Sequence, residues 1–136
     1  MLISGNKNKG LAQSIYALYP TATFCSRATG YELTDTTDME RFAKLSTQHE
    51  VIIVNSALWR FHQSVLLDLV YKACVSAQHK AHIVVIGSTT DRVCNGKAWL
   101  YNAAKKALRD YSNTLAIGGV WGDHAPKVSY ISFGTL

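Results

Sequence analysis

Tyr101 and Lys105 stand four residues apart in the run Tyr-Asn-Ala-Ala-Lys-Lys-Ala-Leu, and Ser88 lies thirteen residues before the tyrosine, at the end of an apolar stretch. On a helix, positions i and i+4 share a face, so the phenol and the ammonium can reach one common site. A cation within about 4–6 Å favours phenolate and draws a tyrosine, whose ordinary pKa is about 10, towards neutrality. A tyrosine adjusted in this way exchanges a proton with a carbonyl or an alcohol near physiological pH. Alone the pair proves little, because tyrosine and lysine at this spacing are usually a half-buried aromatic and a solvated charge. The surrounding elements decide.

Those elements alternate. Leu2 to Ser4 followed by Gly5 reads as a short buried strand, and Gly10 to Tyr19 as a helix with apolar Leu11, Ala12, Ile15 and Leu18, ended by Pro20. Ala22 to Cys25 reads as a second strand and Tyr31 to Leu33 as a strand stub. Thr37 to Leu45 reads as a helix capped by Asp35 or Thr36. Val51-Ile-Ile-Val54, β-branched throughout, has the composition of a strand buried on both faces. Phe61 to Ala77 is periodic as a helix, His82 to Ile86 is a strand closing on Gly87 and Ser88, Trp99 to Ile117 is a long helix, and Val128 to Ser132 is a last strand. This pattern predicts an open, doubly wound α/β sheet with ligands beyond the carboxyl ends of its strands. Too few residues precede the Tyr31 stub for a parallel crossover, so the stub should be irregular. Counting it as the third strand, five strands should dominate in the order 2-1-4-5-6.

A chain of 136 residues forms one domain, residues 1–136, with room for a single core. Hydrophobic content of 48% against 17% charged residues excludes disorder, and no apolar run approaches the roughly 18 residues of a membrane span. Met1 leads straight into a strand and no export leader is read ahead of it, so a cytoplasmic location is expected. Cys25, Cys74 and Cys94 are odd in number and lack metal-ligand spacing, as do the five histidines. The net charge of +5 suits nucleic acid, membrane phosphates or an anionic cofactor. The basic residues are scattered, without an aromatic-interleaved tract, which favours a small phosphorylated ligand over a long polyanion.

Ser4-Gly5-Asn6-Lys7-Asn8-Lys9-Gly10-Leu11-Ala12 follows the first strand and opens the first helix. There a turn can bring backbone N–H groups and a helix N-terminus up to a pyrophosphate, with glycine allowing positive φ and close approach. With these residues in place, the chain resembles the short-chain dehydrogenase/reductase family almost from end to end. Ser4-Gly5 and Gly10-Leu11-Ala12 are similar to the halves of that family's cofactor turn, with one extra residue between them and alanine at the last glycine. Asn55-Ser56-Ala57 resembles its Asn-Asn-Ala-Gly motif, with Leu58 where glycine is usual. Ser88 resembles the catalytic serine, and Tyr101 with Lys105 matches the catalytic pair. Ile131-Ser132-Phe133-Gly134-Thr135 resembles the Pro-Gly segment after the sixth strand, with Phe133 in place of proline.

The resemblance implies a three-layer Rossmann-like fold of five to six strands and hydride transfer between a nicotinamide cofactor and a small carbonyl or alcohol substrate. Tyr101 would exchange the proton, Lys105 would lower its pKa and hold the nicotinamide ribose, and Ser88 would hydrogen-bond the substrate oxygen. Gly5, Lys9, Gly10, Leu11, Asn55, Ser56 and Ala57 would line the cofactor cleft, and Glu32-Leu33 is similar to the pair that contacts adenine. Family members selecting NADP carry basic residues where Lys9 and Arg27 stand, whereas NAD selection uses an acidic residue at the end of the second strand, so NADP is expected over NAD. Gln63 falls near the family's relay asparagine. Typical members continue through a substrate loop, a helix and a final strand beyond the segment matching Ile131 to Thr135, so an open substrate side is expected. The last strand would then be an exposed edge, which implies a homodimer or homotetramer through helices 61–77 and 98–117. A nucleotide-binding or assembly module with weak or no turnover is the alternative.

Overall fold

The β-branched run at 51–54 becomes an inner strand because both of its faces find apolar cover. In the computed structural model, which describes residues 1–55, 60–92, 99–118 and 125–134, one sheet of five parallel strands has the order β2-β1-β3-β4-β5. These strands are β1 (Leu2–Ser4), β2 (Thr23–Cys25), β3 (Val51–Val54), β4 (His82–Ser88) and β5 (Lys127–Phe133). Helices α1 (Gly10–Leu18), α2 (Thr36–Ser46), α3 (His62–Ser76) and α4 (Trp99–Ile117) connect them. The order is the expected one once the Tyr31 stub is removed from the count.

Successive strand residues point to opposite faces, and the two faces are covered unequally. Leu2, Ile52, Val54, Ile83, Val85 and Val128 face α2, α3 and α4 in one large core with Phe42, Leu66, Val70 and Leu108. Ile3, Phe24 and Ile53 face α1 in a smaller one with Ala12. The layers are therefore helix, sheet and helix.

Residues 31–33 form no strand. Arg27–Thr29 is a single 3₁₀ turn closed by Gly30 at φ 87°, and Tyr31 N–H donates to Ser26 O at 2.9 Å, folding the chain back on itself. Asp35 is the cap of α2, accepting from Thr37 N at 2.7 Å.

One boundary differs from expectation in a place that matters. β4 does not close at Ile86 but runs on to Ser88, because β5 supplies partners as far as Phe133: Ile86 pairs with Ile131, Gly87 with Ser132 and Ser88 with Phe133. Ser88 is thus the last residue of a paired strand, held by the sheet instead of a loop. β1 and β3 end earlier, at Ser4 and Val54 in register, and the step leaves a trough along the carboxyl edge.

Candidate functional site

The trough begins at the β1–α1 turn. Gly5 N–H donates to Cys25 O at 2.9 Å and Asn8 N–H to the Asn6 side-chain oxygen at 2.9 Å, which curls residues 5–9 into a compact turn. Gly10 opens α1 at φ +52°, a conformation that side chains disfavour, and nothing lies within 4 Å of where its Cβ would be. Lys9 at the N-cap makes no side-chain cap bond and the first turn of α1 has no acidic residue, so its leading N–H groups have no capping side chain from Lys9. Gly5 serves another purpose: a Cβ there would lie 2.9 Å from Asn55 Nδ2 and 3.3 Å from Ala12 Cβ. Ser4 completes this corner, accepting from Asn55 N–H at 2.9 Å.

At the end of β2 stands an ion pair that sequence reasoning missed. Arg27 Nε lies 2.6 Å from Glu32 Oε2, and Thr34 Oγ1 donates to Glu32 Oε1 at 2.7 Å. The Thr34 and Arg27 hydrogen bonds hold the Glu32 carboxyl below the usual carboxylate range. Arg27, expected from the resemblance to favour NADP, has a carboxylate partner because the turn at 27–30 brings Glu32 back beside it. Beneath it, Cys25 is buried, and desolvation pushes its thiol up to about 11 although a hydrogen bond from Tyr31 pulls the other way.

On the opposite wall, α4 brings Tyr101 and Lys105 to the cleft on one face. Lys105 is only 5% exposed, its Nζ lies 5.5 Å from the Tyr101 ring centroid, and it donates to Gln63 Oε1 at 2.6 Å. Burial lowers the pKa of this ammonium, since desolvation penalises the charged form. Gln63, 3% exposed, also donates through Nε2 to Val54 O at 3.1 Å and Ile86 O at 2.9 Å. It therefore ties the last residue of β3 and a residue two short of the end of β4 to the lysine. No single stretch of sequence could reveal this, because the three partners are far apart along the chain.

Behind Ser88 lies a second cluster that the sequence did not disclose. Asp91, in the turn Thr89–Arg92 and 2% exposed, accepts from Tyr130 Oη at 2.8 Å and from Ser132 Oγ at 3.4 Å. Desolvation and then Asp91 push the Tyr130 phenol above its usual range, while the Ser88 backbone N–H bonds the same oxygen. The ring covers Gly87 so closely that a Cβ there would lie 1.8 Å from Tyr130 Oη. The only early signals were an aspartate three residues after Ser88 and a tyrosine in the last strand.

These walls enclose one open cleft of about 680 Å³, the size of a small-molecule or cofactor site. Gly5, Lys9, Gly10, Leu11 and Asn55 line its middle, Arg27, Glu32 and Leu33 the end beside β2, and Ser88, Tyr101 and Lys105 the end beside β4. Tyr31, Thr34 and Phe133 line it as well. Ser56 and Ala57 lie outside the described residues. Every other residue expected from the sequence to be catalytic or to hold the cofactor lines this cleft, and among the described residues no cluster of His, Cys, Asp or Glu could hold a metal ion.

No family model matches the chain, and no curated protein matches it either. Solved structures do. A short chain dehydrogenase/reductase family protein superposes with a TM-score of 0.63 at 17% identity, covering 96% of this chain and 60% of that one. A 7α-hydroxysteroid dehydrogenase complexed with NADH and 7-oxo glycochenodeoxycholic acid gives 0.63 at 14% identity, covering 96% and 59%. A metagenomic short-chain oxidoreductase in complex with NADP gives 0.63 at 18% identity, covering 99% and 70%. The fold is that of the short-chain dehydrogenase/reductases, and the chain spans 59–60% of the length of the first two.

Proposed function

We propose that this chain is an oxidoreductase of the short-chain dehydrogenase/reductase kind, moving a hydride between NADP(H) and a small carbonyl or alcohol. One observation carries the reading: Ser88, Tyr101 and Lys105 open on the same cleft as the glycine turn and the N-terminus of α1. The neighbours described above include an NADP complex and an NADH complex, which supports a nicotinamide cofactor for the cleft. The residues present fit such a cofactor. The leading N–H groups of α1 and the open space beside Gly10 suit a pyrophosphate, and Lys9 and Arg27 line the cleft where extra negative charge could be met.

When bound, the cofactor supplies the hydride. The chain supplies the proton and the geometry. In the reducing direction Tyr101 gives its phenolic proton to the substrate oxygen as the carbonyl becomes an alcohol, while the Lys105 ammonium stabilises the phenolate left behind. Gln63 Oε1 accepts a hydrogen bond from the ammonium in a place that solvent barely reaches, so the charge is not left unsolvated. Ser88, fixed by the sheet at the end of β4, donates to the substrate oxygen as negative charge develops there.

We expect Tyr101→Phe to reduce kcat by about 10³-fold or more while cofactor affinity changes less than about threefold. A carbonyl panel followed through NADPH oxidation checks this, and unchanged turnover would sink the assignment. Tight cofactor binding with no turnover on any substrate would support the binding-module alternative. The proposal includes a cytoplasmic location and self-association through α3 and α4, where Phe61, Val65 and Ile117 are exposed. No helix among the described residues is long and apolar enough to cross a membrane.

A further inference from the structure

We propose that Glu32 sets the cofactor preference of the cleft by holding the Arg27 guanidinium, so that the site accepts NAD(H) as well as NADP(H). The inference rests on the nicotinamide reading above. Lys9 and Arg27 taken as independent cations would make a strong 2′-phosphate site. The geometry at the end of β2 is different. Arg27 Nε is 2.6 Å from Glu32 Oε2 while Thr34 Oγ1 occupies Oε1 at 2.7 Å, so both carboxylate oxygens are engaged on the rim of the cleft.

The surrounding backbone holds this arrangement in place. Arg27 opens a 3₁₀ turn, Gly30 closes it in the left-handed region, and Tyr31 N–H returns to Ser26 O. Glu32 N–H is then fixed by Asp38 Oδ2 at 2.9 Å, at the start of α2. The arginine and the carboxylate therefore meet through the loop's own hydrogen bonds, not by a chance approach of two long side chains.

A phosphate monoester carries about −1.5 to −2 charges near pH 7. Arriving at Arg27, it meets a guanidinium that already has a carboxylate partner, and a carboxylate that repels it. A ribose 2′-hydroxyl carries no charge and can donate to Glu32 without disturbing the pair. With side chains 81% and 41% exposed, the pair is screened and weak, so a phosphate can still open it. The result is tolerance of both cofactors instead of exclusion of either. Glu32 is a specificity-determining residue, and releasing Arg27 from it should restore discrimination.

Isothermal titration of NADPH and of NADH into the wild-type chain, Glu32→Gln, Arg27→Gln and the double variant tests this. Thermal melting of each protein first establishes that it is folded, as expected for changes at a largely exposed pair. The wild type should bind both cofactors with Kd values within about tenfold of each other. Glu32→Gln should tighten NADPH about five- to tenfold and leave NADH unchanged or about twofold weaker. In the Arg27→Gln background the same change should gain NADPH about twofold or less. Equal shifts for both cofactors, or a full NADPH gain without Arg27, would overturn the role of Glu32 and leave the nicotinamide reading standing. No binding of either cofactor to any of the four folded proteins would remove both.

Discussion

Gln63 holds three groups at once: the buried carbonyl of Val54, the half-buried carbonyl of Ile86 and the buried ammonium of Lys105. Replacing it with leucine would leave the carbonyls unpaired and a charge buried without its acceptor. We therefore expect Gln63→Leu to cost about 2–4 kcal/mol in urea unfolding. Adding Lys105→Met should recover half or more of that, because the buried charge is then gone. A double variant no more stable than Gln63→Leu would show that the lysine is solvated by other means. The sequence revealed the Tyr101–Lys105 spacing, since a helix fixes which residues share a face. It could not reveal that the lysine is held by a glutamine from α3. Nor could it show Arg27 paired with Glu32, because a turn's return path depends on hydrogen bonds such as that from Tyr31 to Ser26.

At the scale of elements, β4 and β5 act as one platform. The alternation of apolar runs and helical periods made five parallel strands and their order legible, because each β-branched run was bounded by turn residues. The end of β4 was not legible. Gly87 reads as a terminator in sequence, yet it is a paired strand residue whose missing side chain admits the Tyr130 ring. Through Tyr130 the strand end is bound to Asp91, and the Ser88 N–H joins the same oxygen. Gly87→Ala should thus cost about 2–4 kcal/mol by overpacking, measured by chemical denaturation. In a Tyr130→Ala background the same substitution should cost less than about 1 kcal/mol, since the obstructing ring is gone. Additive costs would mean that something other than the tyrosine excludes a side chain there.

For the whole molecule, the outer sides of α3 and α4 leave apolar side chains at the surface. Phe61 and Val65 project from the start of α3 and Ile117 is 85% exposed at the end of α4. If the proposed self-association uses this surface, light scattering at micromolar concentration should give at least a dimer. Val65→Asp should shift it to monomer without lowering the melting temperature of the dissociated chain. A wild-type monomer would refute that association.

The sheet order carries one more consequence. β1 lies between β2 and β3, so residues 2–4 are synthesised before either neighbour that will flank them. Leu2 pairs with Ile52 and Ile3 with Ile53. At about 5–20 residues per second on a ribosome, those side chains wait several seconds for their partner strand. The centre of this sheet is therefore completed only after its first strand has emerged, and the nascent chain must keep that strand from other partners in the meantime.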